Sequence, residues 1–485
     1  MAKRTLYKDL AENLALLSDE LGVGISFDVI VRDIRFAGRN AALVFVDGFI
    51  KDKVTADIMR ALFSLERGDL APNLIDKLAT EKLPYFEVER TDDFDKLITE
   101  IISGPMALLV DGYEEALIID VREYPVRSME EPDLERVTRG SRDGFVETAI
   151  FNTILLRRRL RDPGLRFEAL KTGERSKTDV IIAYIDDLAE PGIIQTIKEA
   201  VASVDTIGLP MGVKSLEEYI VGSTINPLPK VRYSERPDVV AAHLLEGHVA
   251  VIVDTTPAVM ITPATAWHFT QHAEEYFQHP TVGTYLRWIR AIGILLSFIL
   301  TPLWLGLVMQ QDLLPEFLSF IGPKEPGTLS LFTQFLILEL GVDLVRMAFI
   351  HTPNALATSL GIVGAILLGE FAVQVGLFTQ ETILYTAVAA VGTFATPSVE
   401  FGLAVRLFRL LTLILTGLFA LPGLAGGVVF TCLVFALTRS FDTPYLWPLI
   451  PFQGDALWRL IFRSPVPELR QRPPIAKKKN QPRQS

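Results

Sequence analysis

The sequence predicts an α/β or α+β soluble module of two subdomains, followed by an all-α polytopic membrane domain. Three observations carry this. The 485-residue chain is 49% apolar with a formal net charge of -11, yet its mean hydropathy is +0.32, a combination that one soluble domain rarely shows. The two properties also occupy different places: Met1–Thr284 holds 32 basic and 47 acidic residues, whereas Tyr285–Ser485 holds 15 and 11. Finally, short β-rich runs alternate with helical patterns in the front, and long apolar runs fill the back.

In the front, three apolar runs end in a similar turn: Ala42–Val46 before Asp47-Gly48, Ala107–Val110 before Asp111-Gly112, and Val249–Val253 before Asp254-Thr255. Asp-Gly between such runs predicts hairpins, because glycine supplies the positive φ that a two-residue turn needs. Helical patterns run over Leu10–Leu21, Val54–Leu65, Phe145–Leu160 and Ile193–Val204. The expected division is an N-terminal subdomain over 1–90 and a second over 91–284, with the border near Tyr85–Asp95.

The membrane domain is expected over 285–458, with a basic tail over 459–485. Ala291–Met309 is uncharged and close to the ~20 residues needed to cross a bilayer; Arg287, Trp288 and Arg290 precede it as a positive-inside entry. Further spans are expected at Leu329–Ile350, Ala355–Leu377 and Thr382–Thr396. The last run, Leu410–Leu437, is roughly 42 Å as one helix, too long for one span and too short for two, and predicts a hairpin turning at Pro422–Gly427. Arg406, Arg409 and the eight basic residues after Trp458 then share a side, which puts both termini in the cytoplasm. No apolar leader segment follows Met1, in keeping with a cytoplasmic front. The end, Ile475–Ser485, reads as a basic tail near anionic headgroups or as a solubilising end.

Glu339, Asp343 and Arg346 fall on one face of the second span, and Glu370 lies in the third. A charge at mid-bilayer costs about 2.5–3.5 kcal/mol on an isolated helix, so this face must meet protein or water. Two readings stand: an ion-pair network in which Arg346 neutralises Asp343, or a cation path lined by Glu339, Asp343 and Glu370. Ala357, Gly361, Ala365 and Gly369, with Gly364 and Gly376, form a small-residue packing face; Asn354 and Gln374 could hydrogen-bond across helices, and Pro353 starts the span.

Composition excludes several classes. The acidic front argues against a nucleic-acid reader, and a lone Cys432 in an apolar run against a disulfide framework or thiolate metal cluster. No phosphate loop, nucleophile elbow or dinucleotide fingerprint is found, so neither enzyme activity nor a cofactor is expected. His268, His272 and His279 with Glu275 are the best metal set, but Pro280 breaks the helix; an amphipathic helix before the first span is preferred, and no metal is expected.

The runs Arg139-Gly140-Ser-Arg-Asp-Gly-Phe-Val-Glu147, Asn152, Arg157–Asp162, Tyr233-Ser-Glu235-Arg236-Pro237-Asp238 and Leu245-Glu246-Gly247-His-Val-Ala-Val-Ile-Val-Asp254, with Pro257, together resemble the A subunits of GerA-type spore germination receptors. Gln271–Tyr276, Tyr285–Trp288, Glu339–Ala348, His351–Ala355 and Gly392–Pro397 are most similar to the stage V sporulation protein AF branch of that family. Receptors usually read Asp-Gly-Thr-Pro where this chain has Asp254-Thr255-Thr256-Pro257, which removes a turn glycine and points away from direct nutrient sensing. The resemblance implies a multi-pass protein of the inner spore membrane that helps to release ions or small solutes from the core. By analogy it implies a homo-oligomeric ring with a central path for monovalent cations, working with other germination membrane proteins in the lipid bilayer. A non-conducting scaffold is the alternative. A carrier for a small anion fits less well, since Tyr285–Trp458 holds seven basic and ten acidic residues, and a membrane-tethered enzyme ranks last.

Overall fold

In a computed structural model, the described residues are 4–66, 73–124, 135–222, 225–313, 321–325, 327–351 and 372–465, with a few single positions between them. The chain forms two compact units, one from residues up to 222 with 231–263, the other from 225–230 with the described residues of 264–465. The second unit therefore begins at Ala264, ahead of the border expected at Tyr285, and takes in a short stretch from within the front.

The first unit contains two five-stranded antiparallel sheets. The first uses α1 (Leu10–Leu21), β1 (Val29–Phe36), β2 (Arg39–Val46), α2 (Asp52–Phe63), α3 (Leu74–Lys77), β3 (Val88–Thr91), α4 (Phe94–Ser103), β4 (Met106–Val110) and β5 (Ala116–Ile119). The second uses α5 (Ala149–Arg159), β6 (Leu165–Thr172), β7 (Thr178–Ile185), α6 (Pro191–Ala202), α7 (Val213–Val221), β8 (Arg232–Ser234), α8 (Pro237–Leu245), β9 (Val249–Val253) and β10 (Val259–Thr262). Strand order is β1-β2-β4-β5-β3 in one and β6-β7-β9-β10-β8 in the other. The two halves thus repeat one α-β-β-α-α-β-α-β-β plan.

This repeat relocates the subdomain border. β3 pairs with β5 through Val88↔Ile119 and Thr91↔Ala116, so the first sheet runs on to Ile119, past the border expected at 85–95. Alternation explains the layering. Ala42, Val44 and Val46 of β2 pack with α1 and α4, while Ala41, Leu43 and Phe45 pack with α2 and α3; the sheet is buried on both faces.

The repeat reaches single residues. Asn13 Oδ1 accepts from the Tyr7 amide (2.9 Å) and its Nδ2 donates to the Tyr7 carbonyl (2.7 Å). Asn152 makes the same pair of bonds with Val146, at 2.9 and 2.6 Å. In the turn after β4, the Gly112 amide (φ 87°) donates to the Lys8 carbonyl; after β9, Thr255 (φ 70°) donates to the Glu147 carbonyl. Thr255 therefore holds a conformation that its counterpart reaches as glycine. For a β-branched residue this costs about 1–2 kcal/mol.

The second unit is helical: a 3-10 turn at Ala266–Phe269, α9 (Glu274–Phe277), α10 (Pro280–Met309), α11 (Leu331–His351), α12 (Gln380–Phe394), α13 (Val399–Leu437) and α14 (Gly454–Ile461). α10 and α13 are long and apolar enough to cross a membrane. α13 is a hairpin, broken at Ala420 (φ 54°, ψ -137°). Its arms of roughly 21 and 17 residues are about 32 and 26 Å long. They meet closely: a Cβ on Gly423 would lie 1.9 Å from the Leu415 carbonyl oxygen, and the Phe408 and Phe435 rings are 5.9 Å apart. The expected hairpin turns two residues before Pro422, and its first arm starts at Val399 rather than Leu410.

Candidate functional site: charges buried among the apolar helices

The early start of α13 has a physical cause. Arg406 and Arg409, expected on the cytoplasmic side ahead of the last apolar run, lie inside the helix with side chains 3% and 1% exposed. Their spacing turns both toward α11, where Glu339 and Asp343 share a face. Glu339, 1% exposed, accepts through Oε2 from Arg409 Nη2 at 2.8 Å and from Arg406 Nη2 at 3.1 Å. Arg406 Nη2 also donates to the Glu339 carbonyl (2.6 Å), and its Nη1 lies 2.8 Å from Asp343 Oδ1.

Arg409 extends the cluster to two more helices. Its Nη1 donates to the Ser297 carbonyl of α10 at 2.5 Å and to Thr393 Oγ1 of α12 at 3.5 Å. α10 and α12 touch here because Gly392 is bare; a Cβ there would sit 2.2 Å from the Gly293 carbonyl oxygen. Two acids face two arginines, so the cluster is neutral. Opposite charges in low dielectric hold each other firmly, and removing one partner typically costs about 3–5 kcal/mol. Glu339 Oε1, Arg406 Nε and Arg409 Nε nevertheless face no hydrogen-bond partner from the protein. Asp343 differs from Glu339 in being 35% exposed.

Of the acids expected on an ion path, the structure brings Glu339 and Asp343 together. The partner of Asp343 is Arg406, in place of the expected Arg346. Glu370 and the packing face Ala357, Gly361, Ala365 and Gly369 lie outside the described residues, as do Pro353, Asn354 and Gly364. Arg406 and Arg409 were missed as site residues. The readable signal was balance: two arginines three apart before an apolar run match two acids four apart in another.

His268, His272 and His279 stay apart as a ligand set. Among the described residues no group of three or more His, Cys, Asp or Glu is placed to hold an ion. Glu275 is instead a buried anchor, 2.7 Å from Arg287 Nε and also paired with Arg290. The expected amphipathic helix is two short pieces, Ala266–Phe269 and α9, with His268 Nδ1 accepting from the Thr265 amide at 2.9 Å. Arg287 Nη1 reaches the carbonyls of Arg459 (3.1 Å) and Leu460 (2.6 Å), and Trp288 Nε1 that of Ile461 (3.1 Å). The chain after the hairpin thus returns to the end of α10 at which that helix begins.

Most residues that carry the family resemblance serve the fold. Arg236 is fully buried, clasping Asp238 with Nε (3.0 Å) and Nη2 (2.7 Å) and donating to the carbonyls of Glu135 and Ser141. Pro237 opens α8, where proline's missing N–H is harmless. The Glu235 carbonyl accepts from the Phe145 amide (2.8 Å), Glu246 caps α8, and Gly140 and Gly247 turn the chain with positive φ. Asp254 Oδ1 accepts from the Ala149 amide (3.0 Å), and Pro257 follows in the same turn. Arg139 is exposed.

The chain matches the family model described as Bacillus/Clostridium GerA spore germination protein over residues 15–475. It is 45% identical over 482 residues to stage V sporulation protein AF of Bacillus subtilis (strain 168), covering 99% of this chain and 98% of that protein. It is 30% identical over 474 residues to spore germination protein GerLA of Bacillus cereus, covering 96% and 95%. Spore germination protein KA of Bacillus subtilis (strain 168) is 28% identical over 481 residues, covering 98% and 88%. The crystal structure of the N-terminal domain of the A subunit of the Bacillus megaterium spore germinant receptor GerK3 aligns with a TM-score of 0.42 at 27% identity, covering 54% of this chain and 98% of that one.

Proposed function

The chain belongs to the GerA family of spore germination proteins, and on that premise we propose that it is an oligomeric membrane subunit that forms or gates an ion path during germination. The observation that carries this reading is the neutral charge cluster at Glu339, Asp343, Arg406 and Arg409, with buried polar atoms left open and one acid partly exposed. Apolar packing alone gives no reason for four charges between membrane helices, where each is costly. Glu339 acts as a lock between helices, and Asp343, with Glu370 as a further candidate, is the acid available to monovalent cations.

The protein sits in the inner spore membrane as four spans plus the α13 hairpin, with both termini cytoplasmic. The contacts of Arg287 and Trp288 with residues 459–461 support a shared side for entry and exit. Copies assemble as a ring and work with other germination membrane proteins. A non-conducting scaffold is the second reading, favoured by the zero net charge of the cluster.

Potassium and sodium flux through the purified full chain in liposomes, with and without partner membrane proteins, tests the choice. Asp343→Asn is expected to lower flux several-fold with assembly unchanged. Unchanged flux removes Asp343 from the path, and no flux under any condition favours the scaffold.

A further inference from the structure

We infer that the segment Leu449–Arg463, with α14 at its centre, is an in-plane anchor that lies on the bilayer surface and binds anionic lipid headgroups. No residue of α14 is buried. Its apolar side chains are nonetheless large: Phe452 is 72% and Trp458 61% exposed, and Leu449, Ile450 and Ile461 are exposed as well. Leu457, Leu460 and Ile461 follow helical spacing on one side, and Asp455 and Arg459, four apart, mark the other. A short helix with this division lies in an interface plane.

The occupant is fixed by continuity. The segment is tied to the entry end of α10 by the Arg287 and Trp288 hydrogen bonds to residues 459–461, and by Trp288 and Trp458 rings 5.4 and 4.1 Å from that of Phe462. Tryptophans that combine an apolar ring with an N–H settle at headgroup depth. Charge agrees: from Arg459 to Ser485 there are eight basic residues against Glu468, the sign that an anionic surface attracts.

The inference rests on α10 crossing the membrane, so its test carries a control on that helix. The full chain with Cys432→Ala is placed in nanodiscs and spin-labelled through Phe452→Cys, Trp458→Cys, Asp455→Cys or, on α10, Leu295→Cys. Expected is a several-fold excess of oxygen over water-soluble nickel accessibility at 452 and 458, the reverse at 455, and deep lipid immersion at 295. Lipid exposure at 452 and 458 should weaken when anionic lipid is replaced by zwitterionic lipid. Aqueous labels at 452 and 458 beside an immersed 295 overturn the anchor alone; an aqueous 295 overturns the membrane reading beneath it. Strong dipolar coupling between labels at 458, with oxygen and nickel both excluded, gives the face to a second copy and also overturns the lipid assignment.

Discussion

His243 and His248 show how a motif residue can matter for stability alone. Both are buried, with ring centres 5.1 Å apart. His243 Nε2 lies 3.4 Å from Arg232 Nη1, which can only donate, so Nε2 accepts and Nδ1 donates to the Val239 carbonyl at 2.8 Å. Burial and the Arg232 charge hold His243 well below its usual range and push His248 down to about 4. In the unfolded chain both titrate near ~6.5. Between those values the unfolded state binds more protons, so stability rises with pH there and falls as pH drops from about 6.5 toward 4. The His248 share is about 3 kcal/mol. Urea unfolding of the front unit within the full chain, followed at pH 7 and pH 4.5, should show the midpoint fall at the lower pH, and His248→Asn should flatten the slope. The sequence placed His248 inside the Leu245–Asp254 run without a role, because burial depends on what β8 and α8 bring around it.

The helices Leu10–Leu21 and Asp52–Phe63 were readable within two residues, since an amphipathic stripe is a local property. Turns were less so. Asp111-Gly112 and Asp254-Thr255 do join paired strands, but Asp47-Gly48 leads into α2; the hairpin of β2 turns instead at Ala37-Gly38 (φ 48° and 77°). A turn dipeptide reports local backbone preference and leaves the strand's partner open. The β9–β10 turn offers a direct check, because its counterpart in the first sheet has Gly112. Thr255→Gly should stabilise the front unit by about 1 kcal/mol, the relief of a left-handed threonine less glycine's extra chain entropy. A thermal midpoint that stays put or falls would show that the threonine side chain compensates for its backbone.

Each unit depends on a buried ion pair between residues far apart in sequence. In the front, Asp28 accepts from Arg157 Nε (2.9 Å) and Nη2 (3.1 Å), and Ser26 and Phe27 bond to Phe167, which joins the first sheet to α5 and β6 of the second. Asp28→Asn should cost about 3–5 kcal/mol by stranding Arg157. Hydrogen exchange on the full chain should then quicken in α5 and β6 while β2 and β4 stay protected. In the helical unit the equivalent tie is Glu339 to Arg406 and Arg409, 67 and 70 residues on. The sequence by itself determined the acidic α/β front, the oily back, its first long apolar helix, the presence of a hairpin and the family, because composition, periodicity and motif are written along the chain. Only the tertiary structure decided that the front is one plan used twice, that Arg406 and Arg409 belong inside a long apolar helix, and that Glu339 is paired and buried while Asp343 is paired yet partly exposed. The reason is physical: a charge is tolerated in an apolar setting according to what packs against it, and packing partners are chosen across the fold, not along the chain.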